Sequence, residues 1–166
     1  QSEYSMMERM FEKDVIPLCQ ELNIGFVAFS PMASGFLSGK YNKNTQYKGD
    51  DVRRVITRFA PDNVEKNQPL LDLLHDVADK KGITPAQISL AWMLKKYPHV
   101  VPIPGMRKDE RVVENLGAAD VVLSDEEFSN IETELNKITI YGNRTDEDIH
   151  KLGSVKAIEY TGETIS

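Results

Sequence analysis

A single cysteine, Cys19, and a single tryptophan, Trp92, stand among these 166 residues. One thiol excludes an internal disulfide and a cysteine-based zinc site, and it suits a reducing compartment. Cys19 itself reads as a small buried hydrophobe. No apolar run approaches the ~20 residues that a bilayer-spanning helix needs, and no charged leader precedes an apolar stretch. Positive charge is the scarcer sign: 20 lysines and arginines against 26 acids give a net charge of −6. Such a balance disfavours nucleic acid and anionic membrane as partners, so any anion site must be a local basic cluster. Together these absences describe a cytoplasmic protein that engages neither nucleic acid nor membrane.

What is present has the length and composition of one globular domain, with 40% hydrophobic residues to fill a sizeable core. The chain opens at Gln1 rather than methionine, and no strand or helix signal precedes Tyr4-Ser5. It therefore reads as a piece of something longer. Met6, Met7, Met10, Val15, Leu18 and Leu22 recur at spacings near three and four, predicting one amphipathic helix over 6–22 with Ser5 as its N-cap and Pro17 as a possible bend. The apolar run Ile24 to Ser30, closed by Pro31, predicts a strand buried on both faces. Residues 31–61 lack sustained periodicity and form a long loop, of the length that is usually functional or disordered. Leucines predict a helix over 63–81, stopped at Gly82. Thr84-Pro85-Ala86-Gln87 has the form of a capping box and opens a helix through Lys96, with Trp92 on its apolar face. A second strand follows over 99–103, then a helix over 109–116 and a last helix from Ser124 to about Asn136. From Tyr141 the sequence is polar. Helix and buried strand in alternation predict an α/β fold.

The most informative segment runs from Val101 to Ala118: a strand turning through Pro104 and Gly105 into a helix start carrying Arg107, Lys108 and Arg111. Unpartnered N–H groups and the helix macrodipole make such a turn a ready anion site. On that helix Val112, Val113 and Leu116 share one side, predicted to pack, and Arg111, Glu114, Asn115 and Ala118 share the other, left free to bind.

Two segments, Phe29-Ser30-Pro31-Met32-Ala33-Ser34-Gly35 through Tyr41 and Pro102-Ile103-Pro104-Gly105 through Asn115, closely resemble the C-terminal part of aldo-keto reductases. Gln1 to Tyr4, Arg58-Phe59 and Pro85 to Trp92 do so too, in family order, so the resemblance spans Gln1 to about Arg144. It implies the C-terminal portion of a (β/α)8 TIM barrel, incomplete, with two to three strands and their helices over 1–144 and a tail over 145–166. It also implies NADP(H) at the C-terminal strand ends, where barrel enzymes place their chemistry. By resemblance, Gln1 would meet the nicotinamide amide and Phe29 would stack on the nicotinamide ring. Ser30, Pro31, Met32, Ala33 and Ser34 would line the pyrophosphate, with Gly35 keeping the loop close, and Lys40 and Arg58 would contact phosphate. Gly105, Met106, Arg107 and Arg111 would hold the adenosine 2'-phosphate, a guanidinium matching phosphate oxygens as a planar fork. Glu114 and Asn115 would meet the adenine amino edge.

The family's catalytic aspartate, tyrosine, lysine and histidine belong to the other half of the barrel, so no catalytic residue is assigned here. His75, His99 and His150 read as structural or surface residues. The resemblance therefore implies the cofactor-binding part of an enzyme whose carbonyl substrate meets only the complete barrel, reached through a missing N-terminal half or replaced by self-association. A non-catalytic NADP-binding module and an inactive truncated relic are the alternatives.

Overall fold

The computed structural model describes residues 1–144, so the expected tail at 145–166, and His150 with it, lie outside the described residues. Three strands, β1 (Ser2–Glu3), β2 (Phe26–Phe29) and β3 (Val100–Ile103), form a parallel sheet in the order β1-β2-β3. Ser2 pairs with Ala28, and Phe26, Val27, Ala28 and Phe29 pair in register with Val100, Val101, Pro102 and Ile103. Parallel neighbours require crossovers, and helices supply them. Helix α1 (Val15–Glu21) joins β1 to β2. Helices α2 (Pro61–Lys66), α3 (Gln68–Lys81) and α4 (Pro85–Lys96) lie between β2 and β3, and α5 (Asp109–Leu116) and α6 (Asp125–Leu135) follow. This is an α/β arrangement with the strand and crossover pattern of a partial barrel.

Local chemistry sets the helix boundaries. Thr84 accepts from the Gln87 N–H while the Gln87 side chain accepts from the Thr84 N–H, closing the expected capping box of α4 with Pro85 in its first turn. Ser124 and Glu127 do the same for α6. The single helix expected over 6–22 is instead broken. A one-turn 3-10 segment occupies Met10–Glu12, and α1 begins only after Asp14, whose carboxylate accepts from the Val15 N–H. Ser5 is no N-cap: it is buried, its Oγ accepting from the Met7 N–H at 3.1 Å. The expected helix over 63–81 is likewise two, divided at the buried Asn67.

One core cluster runs from Tyr4 to Leu135, and Trp92 lies at its centre, fully buried as its sequence position predicts. Tyr4 stacks on Trp92 with centroids 5.8 Å apart and donates its hydroxyl to Glu12 at 2.6 Å. The Trp92 indole donates to Glu132 at 2.7 Å. Arg9 and Lys96 each pair with both of these carboxylates, tying the N-terminal segment to α4 and α6. Burial alone pushes the Glu12 carboxyl up, but hydrogen bonds from Arg9, Tyr4 and Lys96 outweigh it and hold the group below the usual glutamate range. The same burial and the bond to Glu12 push the Tyr4 phenol well above its ordinary value.

Three expectations about burial are corrected. Strand β2 is buried on one face only: Phe26 and Ala28 are covered, whereas Val27 and Phe29 are half-covered and their partners Val101 and Ile103 exposed. On α5 the apolar side faces outward, Val113 being 72% and Leu116 66% exposed, while Arg111, Glu114 and Asn115 are half-covered. Cys19 is half-buried at the edge of the core rather than inside it.

Candidate functional site

The loops that leave β2 and β3 at their C-terminal ends converge on one groove of about 870 Å³. That volume lies within the range of small-molecule and cofactor sites. After β2, Ser30, Ala33, Ser34 and Gly35 all adopt positive φ, at 51°, 48°, 58° and 94°. Left-handed backbone in non-glycine residues costs about 1–3 kcal/mol each and collects at functional sites. Here the Ser30 hydroxyl helps to hold it, accepting from the Ser34 N–H at 3.2 Å. Gly35 has a steric reason as well: a Cβ there would come within 3.1 Å of the Tyr41 ring. The turn uses its own N–H groups, Ala33 donating to the Ser30 carbonyl at 2.8 Å and Gly35 to the Met32 carbonyl at 2.9 Å, so the serine side chains are what it presents to the groove.

After β3, Pro104 to Lys108 carry the chain into α5. Lys108 is the N-cap and no side chain caps the helix, so its first N–H groups are open to other partners. Asp109 and Glu110 occupy the first turn and partly offset that field. Gly105 has open space where a Cβ would stand. Arg111 pairs with Glu114 one turn on, an arrangement that leaves other guanidinium donors free.

The groove is lined by Lys40, Lys48, Arg53, Arg107, Lys108, Arg111 and Arg144 against Asp50, Asp51 and Glu114. In a chain of net charge −6 this is a concentrated basic cluster. One acid is already neutralised in place: Asp51 accepts from Arg53 Nε at 2.8 Å and from the Arg53 N–H at 3.0 Å, which holds its carboxyl at about 2. Arg53 in turn stacks over Tyr41 and Tyr47, its guanidinium 4.5 and 5.1 Å from their ring centroids.

Of the residues singled out in the sequence, Phe29, Ser30, Pro31, Met32, Ser34, Lys40, Gly105, Met106, Arg107, Arg111, Glu114 and Asn115 all line this groove. Gln1, Ala33 and Arg58 do not. Gln1 is exposed and precedes β1. Ala33 is buried, so its part in the loop is its backbone. Arg58, expected to reach phosphate, is 2% exposed and committed elsewhere, pairing with Glu3 at 3.0 Å and Glu8 at 2.9 Å and donating to the Met7 carbonyl.

The Aldo/keto reductase family profile matches residues 1–136. A probable aldo-keto reductase 1 of Glycine max is 37% identical over 131 residues, covering 79% of this chain and 38% of that protein. This chain belongs to the aldo/keto reductase family. Among solved structures, the glycerol dehydrogenase of Gluconobacter oxydans superposes with a TM-score of 0.74 at 27% identity, covering 84% of this chain and 42% of that one. An aldo/keto reductase from Klebsiella pneumoniae, solved in complex with NADP and acetate, superposes with a TM-score of 0.57 at 27% identity, covering 88% and 42%. This aldo/keto reductase chain thus spans about two fifths of the length of the relatives it matches.

The groove of this aldo/keto reductase chain also holds residues that sequence reasoning passed over, chiefly Lys48, Asp51, Arg53 and Arg144. Tyr41, Tyr47 and Arg53 interleave aromatic and basic residues, a signal that was available in the long loop. Arg144 carried none, since it reaches the groove only through contacts distant in sequence. Among the described residues no group of three or more potential ligands could hold a metal ion, and no helix is long and apolar enough to cross a membrane.

Proposed function

We propose that this chain is the C-terminal, cofactor-holding part of an NADP(H)-dependent carbonyl reductase. The observation that carries the reading is the convergence, in one groove, of a left-handed serine loop after β2 and an uncapped basic helix start after β3. The donor set fits a dinucleotide with an added phosphate. The Ser30 and Ser34 hydroxyls would meet the pyrophosphate with Lys40, while Arg107 and Arg111 would take the 2'-phosphate and so favour NADP over NAD. Phe29 would supply the flat apolar platform for the nicotinamide, and Glu114 and Asn115 the polar edge for adenine. When bound in the complete enzyme, the cofactor supplies hydride to a carbonyl carbon. This chain orients and neutralises it, and a proton donor elsewhere in the barrel completes the reduction.

Titration of NADPH fluorescence tests the clamp. Arg111→Ala should weaken binding about 10- to 100-fold, the worth of one to two charge-assisted hydrogen bonds, and the wild-type chain should bind NAD less tightly than NADP. Identical titrations for the wild type and Arg111→Ala would refute it. The purified chain should reduce no carbonyl; steady NADPH oxidation across a broad panel of aldehydes would show that it carries its own catalytic group.

The partner implied is the remainder of a barrel. Edge strand β3 exposes Val101 and Ile103, and α5 turns Val113 and Leu116 outward. Apolar surface on an unpaired edge needs another strand and helix, or a second copy, to cover it.

A further inference from the structure

After α6 the chain doubles back as a short strap over 141–144. Asn67, fully buried, donates to the Tyr141 carbonyl and accepts from its N–H, both at 2.9 Å. The Asn143 N–H donates to Thr57 Oγ1 at 2.7 Å, and the Arg58 N–H donates to the Asn143 carbonyl at 3.2 Å. Gly142, at φ 78°, packs so tightly that a Cβ would lie 2.7 Å from the Arg58 nitrogen.

This clamp delivers Arg144 onto Phe29, its guanidinium carbon 4.5 Å from the ring centroid. Both residues line the groove. The second partner of Arg144 is loose: Glu3 Oε2 lies 3.7 Å away, beyond hydrogen-bond distance, and the same carboxylate is held by Arg58 at 3.0 Å. The Arg144 side chain is 45% exposed, so it has room to swing while its backbone stays fixed.

We infer that Arg144 is a specificity-determining residue of this groove: it covers Phe29 in the free chain and must leave when the nicotinamide ring arrives. The inference rests on the cofactor reading above. A guanidinium and a nicotinamide are both planar, and one ring face accommodates one such partner. Arg144 therefore lowers affinity for the nicotinamide half of the cofactor and leaves the adenosine half untouched.

The test compares NADPH with adenosine 2',5'-bisphosphate, which lacks the nicotinamide, on the wild type, Arg144→Ala and Arg144→Lys. Arg144→Ala should bind NADPH about two- to fivefold more tightly, the worth of an exposed cation–π contact, and should bind the bisphosphate unchanged. Arg144→Lys, which keeps the charge but not the plane, should fall between. Loss of a distant positive charge would act with the opposite sign and weaken both nucleotides. Weaker NADPH binding, equal shifts for both ligands, or no shift for NADPH overturns the inference while leaving the clamp standing. If neither nucleotide binds any of the three proteins, the clamp reading fails and this inference with it. An NMR readout is independent of affinity: ring current from Phe29 should move the Arg144 δ-methylene protons upfield in the free chain, and NADPH should abolish that shift. A free chain without the upfield shift also overturns the inference.

Discussion

Arg58 shows how strongly a single buried charge constrains its surroundings. Its guanidinium is shared between Glu3 and Glu8, so removing it leaves both carboxylates without that partner, Glu3 the more buried of the two. Breaking such a pair from one side costs about 3–5 kcal/mol. Arg58→Met should therefore lower the urea midpoint sharply while leaving the adenosine 2',5'-bisphosphate affinity of the folded fraction as it was. An unchanged midpoint with lost affinity would return Arg58 to the phosphate site. Glu12 acts through the same physics at a more open position. Its carboxyl is held below the ordinary range, so its contribution is present above the unfolded glutamate value, about 4.3, and is lost as pH falls through the lower folded value. Glu12→Gln should cost about 2 kcal/mol at neutral pH, discounted for partial exposure, and the deficit against wild type should shrink in urea melts taken at progressively lower pH.

At the scale of elements, α5 and the strap carry the predictions. Val113 and Leu116 lie on a face with no cover among the described residues, so the double change Val113→Glu, Leu116→Glu should alter the stability of the isolated chain by no more than about 0.5 kcal/mol. The same change should abolish self-association, or union with the remaining part of a barrel, in sedimentation experiments. Destabilisation without an effect on association would mean that the face is already used within the chain. Gly142→Ala forces a Cβ against backbone at positive φ and should cost about 2 kcal/mol or more. Because that turn carries Arg144, the variant should also tighten NADPH binding relative to adenosine 2',5'-bisphosphate.

Across the whole molecule, what could be read from the sequence followed contact distance. The capping box at Thr84, the helix start at Ser124, the strands around Phe26 and Val100, and the turn after β3 are short-range signals, and each is present. The break before α1 was hidden because Asp14 caps a helix inside an apolar pattern that continues through it. The burial of Arg58 was hidden because both its acids lie some fifty residues away. The outward face of α5 was misread for a different reason. Amphipathic spacing announces that a face wants cover, and says nothing about whether the covering residues belong to this chain.

The pairing of β2 with β3 also bears on how the molecule comes to exist. Between Phe26 and Val100 the chain must pass through α2, α3 and α4, since a parallel neighbour cannot be reached by a tight turn. Closing so long a loop precedes any reward from the strand contacts, which slows folding relative to a local helical bundle. Docking of β3 is one such long-range step, and until it occurs β2 lacks its β3 neighbour. Until then a nascent chain leaves the β2 edge unpaired, the kind of exposure that chaperones cover.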